Sequence, residues 1–198
     1  MLTRKVALKA LGVVAGCLVS CAIGLFATSR ILPLVLINAP PAVVMIWLAQ
    51  TIVVCLFFQV LIFKRLEKAE KVLLAAAYAM AIFSGLIYRY ATGTFRSFGW
   101  NPFGFVADCL VEPRQIAISA VNAALFVPLY PILHLFSLTP RTWMVLCGFL
   151  LVEVIQIATR QGFFDVGDIL LYTLGYLVGL GIVKLGRARS VTAGSLPS

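Results

Sequence analysis

Residues 42–63 read AVVMIWLAQTIVVCLFFQVLIF, an unbroken run without a charged side chain. At 1.5 Å of rise per residue, such a helix is about 33 Å long, enough to cross a hydrocarbon core of roughly 30 Å. The run ends against KRLEKAEK at residues 64–71, where cations outnumber acids. This is the pattern of a membrane span closed by a short polar loop. Comparable apolar runs lie at Val6–Thr28, Val72–Tyr90, Ile116–Ser137, Thr142–Thr159 and Asp168–Leu185. The reading is an all-α, polytopic transmembrane helix bundle of about six spans. Pro128 and Pro131 should kink the fourth run, because proline lacks the helical N–H and its ring clashes with the preceding turn. The fifth run is short and contains Glu153.

Composition supports the membrane assignment. Of 198 residues, 62% are hydrophobic and 12% charged, whereas soluble domains average about 45–50% and about 25%. Disorder, collagen and coiled coil are excluded with the soluble class, since neither a Gly-X-Y period nor a heptad seam is present. The net charge of +9 comes from 16 Lys and Arg against 7 Asp and Glu. These charges fall between apolar runs and not on one soluble face, so no nucleic-acid partner is expected. With both termini cytoplasmic, 11 Lys and Arg lie inside and 5 outside, the asymmetry that orients membrane proteins. The expected orientation is therefore N-in and C-in.

The expected organisation is an N-terminal transmembrane hairpin over 1–71, a helical membrane domain over 72–189 and a disordered tail over 190–198. Val14-Ala15-Gly16-Cys17 and Leu18-Val19-Ser20-Cys21 imitate lipoprotein cleavage sites. Apolar residues continue to Phe26, however, which favours an uncleaved first span. Cys17, Cys21, Cys55 and Cys147 lie within apolar runs, leaving Cys109 as a loop thiol and giving no disulfide framework. His134 has no cysteine or second histidine near it in sequence, so neither a metal site nor a cofactor is expected.

Polar residues concentrate in three places. The outer loop at 91–115, ATGTFRSFGWNPFGFVADCLVEPRQ, interleaves Phe95, Phe98, Trp100, Phe103 and Phe105 with Arg96, Asp108 and Glu112. It reads equally as an aromatic belt at headgroup level or as a lid over an external ligand. In the fifth run, Glu153, Gln156 and Arg160 share one helical face at spacings of three and four. An ionised carboxylate at that depth costs on the order of 2.5–3.5 kcal/mol. Glu153 is therefore expected to face a cavity open to the outside; the alternative is a protonated Glu153 hydrogen-bonded to a neighbouring helix through Asn122, Gln156 or Tyr172. Next come Asp165 and Asp168 in a tight turn; either could be an N-cap, and Asp168, which precedes the sixth run, is the better placed. Along that run Asp168, Tyr172, Gly175 and Gly179 lie on one face, and Gly175-x-x-x-Gly179 allows close helix approach.

These motifs carry a family resemblance. From about Arg96 to Gly179 the chain resembles the VanZ-like family of bacterial membrane proteins, whose founding member is associated with low-level teicoplanin resistance. The resemblance rests on Glu153-x-x-Gln156-x-x-x-Arg160, Asp165-x-x-Asp168 and Gly175-x-x-x-Gly179. Arg96 with Pro102-Phe103, and Asn122 with Phe126-x-Pro128, add to it. The chain departs from the family pattern at Tyr172 and Gly99, where asparagine is usual, and at Tyr130, where glycine is usual. The resemblance implies a multi-pass protein of the bacterial cytoplasmic membrane with a role at the cell envelope.

The leading functional expectation is a non-enzymatic protein whose outward polar site binds a cell-wall precursor, a lipid headgroup or a glycopeptide antibiotic. Arg96 and Arg160 would supply cationic donors. Asn122, Glu153, Gln156, Asp165, Asp168 and Tyr172 would complete the ligand-binding set. The alternatives are an intramembrane enzyme working by acid–base chemistry of Glu153, Asp165 and Asp168 on a lipid-linked substrate, or a small transporter or flippase.

Overall fold

The computed structural model describes residues 2–31, 40–87, 98–159 and 164–194. Five of the described helices are long and apolar enough to cross a membrane: Arg4–Arg30, Pro40–Phe63, Lys68–Leu86, Pro113–Leu135 and Val166–Arg187. The expected fifth run is a shorter apolar helix, Thr142–Ala158. The chain is an all-α helical protein with two compact units, Met1–Thr94 and Phe95–Ser198.

In the first unit, helix α1 (Leu2–Phe26) continues into a π-helical turn, Ala27–Ile31, and is followed by α2 (Pro40–Phe63) and α3 (Lys68–Ile87). Helix α2 packs against both α1 and α3. Hydrophobic burial gives little drive between helices in lipid, so small residues and interhelical hydrogen bonds hold such contacts. Both devices are present. Gly16 lies so close to the Cys55 backbone that a β-carbon there would come within 2.7 Å of its Cα. The Ser20 and Thr51 hydroxyls are 2.8 Å apart, and the Gln59 amide donates to the Lys9 carbonyl at 2.8 Å. At one end of the helices Lys9 pairs with Glu67 at 3.0 Å and with Glu70 at 3.1 Å.

The second unit contains a short strand β1 (Phe98–Gly99), α4 (Gly104–Val111), α5 (Pro113–Phe126), α6 (Leu129–Leu135), α7 (Thr142–Ala158), β2 (Phe164–Asp165) and α8 (Val166–Gly194). Helix α8 is its centre, packing against α5, α6 and α7. The expected kink is present as a two-residue interruption, Val127 and Pro128, both in the right-handed helical region, between α5, which ends at Phe126, and α6, which begins at Leu129. The cause is local, since Pro128 and Pro131 cannot donate to the carbonyls of Ala124 and Val127 four residues earlier.

This break meets the glycines of α8. A β-carbon at Gly175 would collide with the Ala123 carbonyl oxygen, and one at Gly179 with the Val127 carbonyl oxygen. The small face of α8 therefore lies directly on the broken backbone of α5 and α6. An aromatic layer continues the packing, with ring centroids of Phe126 and Tyr172 4.4 Å apart and those of Phe126 and Phe149 4.9 Å apart.

The aromatic segment before α5 differs from a plain linker. It contains β1 and the eight-residue helix α4, which places Cys109 on a helix with its Sγ 3.6 Å from the Ser119 hydroxyl. Asn101 forms the turn into α4, its side-chain oxygen accepting from the Phe103 N–H at 3.1 Å.

Candidate functional site

The sequence places Glu153 and Gln156 on one face of α7, and the structure buries both, at 0% and 4% exposure. Neither oxygen of Glu153 is left unpaired. Tyr172 on α8 donates its hydroxyl to Oε1 at 2.9 Å, and the Asp165 N–H donates to Oε2 at 3.0 Å. Of the environments expected for Glu153, the hydrogen bond to Tyr172 is present. A carboxyl group wholly removed from solvent does not itself face an open cavity. With its hydrogen-bonding capacity met from two directions, the desolvation cost is offset where it would otherwise be several kcal/mol.

Asp165 is the hinge between strand and helix. Its backbone is held by Glu153, while its Oδ1 accepts from the Gly167 N–H at 2.8 Å. Val166 is the first residue of α8, so this is the bond of an N-cap to the second helical residue. The capping residue is thus Asp165, correcting the expectation for Asp168. Asp168 instead sits in the first turn of α8 and accepts from the Asn122 amide on α5. There its negative charge is favoured by the unpaired N–H groups of the helix start. Burial holds the Asp165 carboxyl above the usual carboxylate range; the Gly167 N–H opposes this rise, and the nearby charge of Asp108 on α4 adds to it.

A two-stranded parallel pairing brings the aromatic loop to this acidic group. Phe98 pairs with Phe164 and Gly99 with Asp165. Trp100 stacks on Phe98 at a centroid distance of 6.0 Å and lies 5.8 Å from Phe164. Trp100 is 72% exposed, making an open aromatic shelf beside the carboxylates. A β-carbon at Gly99 would approach Asp165 Oδ1 to 3.0 Å, so glycine fits here where a larger side chain would crowd the carboxylate.

Two hydrogen-bonded sets therefore meet at the start of α8: Glu153 with the Tyr172 hydroxyl and the Asp165 N–H, and Asn122 with Asp168. Gln156 is buried on the Glu153 face of α7. Arg96 and Arg160 lie outside the described residues. Pro102 and Phe103 form the turn leading into α4. Sequence reading did not find the roles of Gly99, Phe164 and Gly167, because each depends on strand pairing or cap geometry between segments remote in the chain. Among the described residues, no group of three or more His, Cys, Asp or Glu side chains is arranged to hold a metal ion.

The family model VanZ/LLP1 matches residues 54–187. The chain belongs to the VanZ/LLP1 family. It is a membrane protein of VanZ type, and the matched range takes in Glu153, Gln156, Asp165 and Asp168. The VanZ match begins well upstream of Arg96, inside α2, and takes in all of α3. The part of the chain before it is correspondingly shorter than the expected hairpin over 1–71. No curated protein and no solved structure matches this VanZ-type chain.

Proposed function

We propose that the acidic group of the second unit, with its aromatic shelf, is an outward-facing binding site for a polar envelope molecule in the bacterial cytoplasmic membrane. The pairing of Gly99 with Asp165 carries this reading, since it sets exposed Trp100 and Phe98 beside partly exposed carboxylates. Such a surface suits a ligand that offers N–H or O–H donors together with a sugar or aromatic face, as a cell-wall precursor or a glycopeptide does. Arg96 and Arg160 are the proposed cationic contributors.

Glu153 is a positioning residue in this scheme. Both its oxygens are engaged within the fold, and its bond to the Asp165 N–H sets the β2 turn on which the surface aspartates stand. That arrangement favours binding over acid–base turnover by Glu153. A role in teicoplanin resistance follows if the bound molecule is the antibiotic or the precursor it recognises.

The test is binding of a lipid-linked cell-wall precursor, and separately of teicoplanin, to the full chain in nanodiscs. Trp100→Ala and Asp168→Asn should each weaken binding about tenfold, the scale of losing a stacking surface or a charge-assisted hydrogen bond. Chemical conversion or transbilayer movement of the precursor would favour the enzyme or flippase alternatives. Unchanged affinity in both variants would remove this surface from the function.

A further inference from the structure

A second feature lies on the other side of the aromatic layer from Glu153. A groove of about 240 Å³ runs between the first half of α7 and the middle of α8. Its walls are Val145, Leu146 and Phe149 on one side and Tyr176, Leu177 and Leu180 on the other. Leu146 and Leu177 are 41% and 50% exposed, so the groove is open along its length. Its volume is below the roughly 300–1,000 Å³ of sites that enclose a whole small molecule. It suits part of a molecule whose remainder stays outside.

At the far end of the α8 wall the Thr173 hydroxyl is spent on the Ile169 carbonyl, whereas cations gather at the opposite end. Thr139 and Thr142 line the groove there, flanking exposed Arg141. On α8, Thr173, Leu177, Leu180, Lys184 and Arg187 follow steps of four, three, four and three, which places them on one face. Thr173, Leu177 and Leu180 line the groove, so the same face continues past it to the two cations. Arg187 contacts His134 Nε2, and His134 lies one turn from the lining residue Tyr130. The lining contains no acidic side chain. An apolar channel that ends in hydroxyls and cations is complementary to a hydrocarbon chain attached to a negative headgroup.

We infer that this groove seats one acyl chain of an anionic phospholipid, whose phosphodiester is held by Arg141 and Lys184 with the Thr139 and Thr142 hydroxyls. Arg and Lys at this end fall on the side expected to be cytoplasmic, where anionic headgroups attract basic residues by about 1 kcal/mol each, or about fivefold in affinity. The inference is independent of the ligand proposed for the acidic site, which uses a different set of side chains.

The full chain, purified in mild detergent and titrated with phosphatidylglycerol or phosphatidylcholine of identical chains, tests it by native mass spectrometry. The wild type should retain phosphatidylglycerol at least tenfold better. Arg141→Gln and Lys184→Gln, both at exposed positions, should each reduce that preference about fivefold with the melting temperature unchanged. Leu177→Trp should fill the groove and reduce retention of both lipids. Equal retention of the two lipids by the wild type, or an undiminished preference in the Arg141→Gln/Lys184→Gln protein, would overturn the site. Binding of glycerol phosphate as tight as that of the intact lipid would also overturn it, because the acyl groove would then contribute nothing.

Discussion

Tyr172 and Glu153, nineteen residues apart, meet through a 2.9 Å hydrogen bond in which both side chains are fully buried. The phenol extends from α8 to reach a carboxyl group on α7, while its ring packs against Phe126 and Phe149. One residue therefore provides both a polar partner and an apolar surface.

Tyr172→Phe should lower stability by about 1–3 kcal/mol, the cost of leaving a buried acceptor short of one partner. Glu153→Gln should be milder, because glutamine can still accept from the Asp165 N–H. The double variant should lose less than the sum of the two, since both remove the same bond. Thermal melting of the four proteins in one detergent checks the cycle, and strict additivity would show that the two side chains do not cooperate.

Gly179→Leu should destabilise the second unit by about 1–3 kcal/mol or prevent its folding, because its side chain must displace the Val127 carbonyl and the Pro131 ring. Gly181→Ala is the matched control, since a β-carbon there meets nothing within 4 Å. It should melt at or slightly above the wild-type temperature, given the better helix propensity of alanine. Equal melting of the Gly179→Leu and wild-type proteins would mean that α8 does not lie on the α5–α6 break.

Asp165 should give stability a distinct dependence on pH. Its folded carboxyl titrates above the ordinary aspartate value, so between the unfolded and folded pKa values the native state binds more protons than the unfolded state. Its contribution is most favourable below the unfolded pKa and is lost as pH rises through the folded one. Asp165→Asn keeps an N-cap acceptor without titrating. A pH series of melting temperatures should be flatter for this variant just above the usual carboxylate range, and parallel curves would exclude the effect.

The N-in, C-in orientation predicts opposite labelling of two exposed positions. In a cysteine-free background, Asn101→Cys should react with an impermeant maleimide added to intact cells, and Lys68→Cys should react only after permeabilisation. The reverse pattern would invert the chain and place the acidic site on the cytoplasmic side.

Several features of this VanZ-type protein were legible in the sequence because they depend on neighbours along the chain. Apolar run length specifies helices of membrane-crossing size, Pro128 and Pro131 specify the break, and helical spacing puts Glu153 with Gln156 and Gly175 with Gly179. Helix α4 escaped this reading, being only eight residues long and too short to be stable without tertiary support. Other features were decided by tertiary structure. Asp165 became the cap because Glu153, twelve residues earlier, holds its N–H, while Asp168 turns to Asn122 across forty-six residues. The Gly99–Asp165 register brings Trp100 to the carboxylates through backbone pairing, which is nearly blind to side-chain identity. Periodicity identifies which residues share a face, but it does not encode which distant backbone or side-chain group that face will meet.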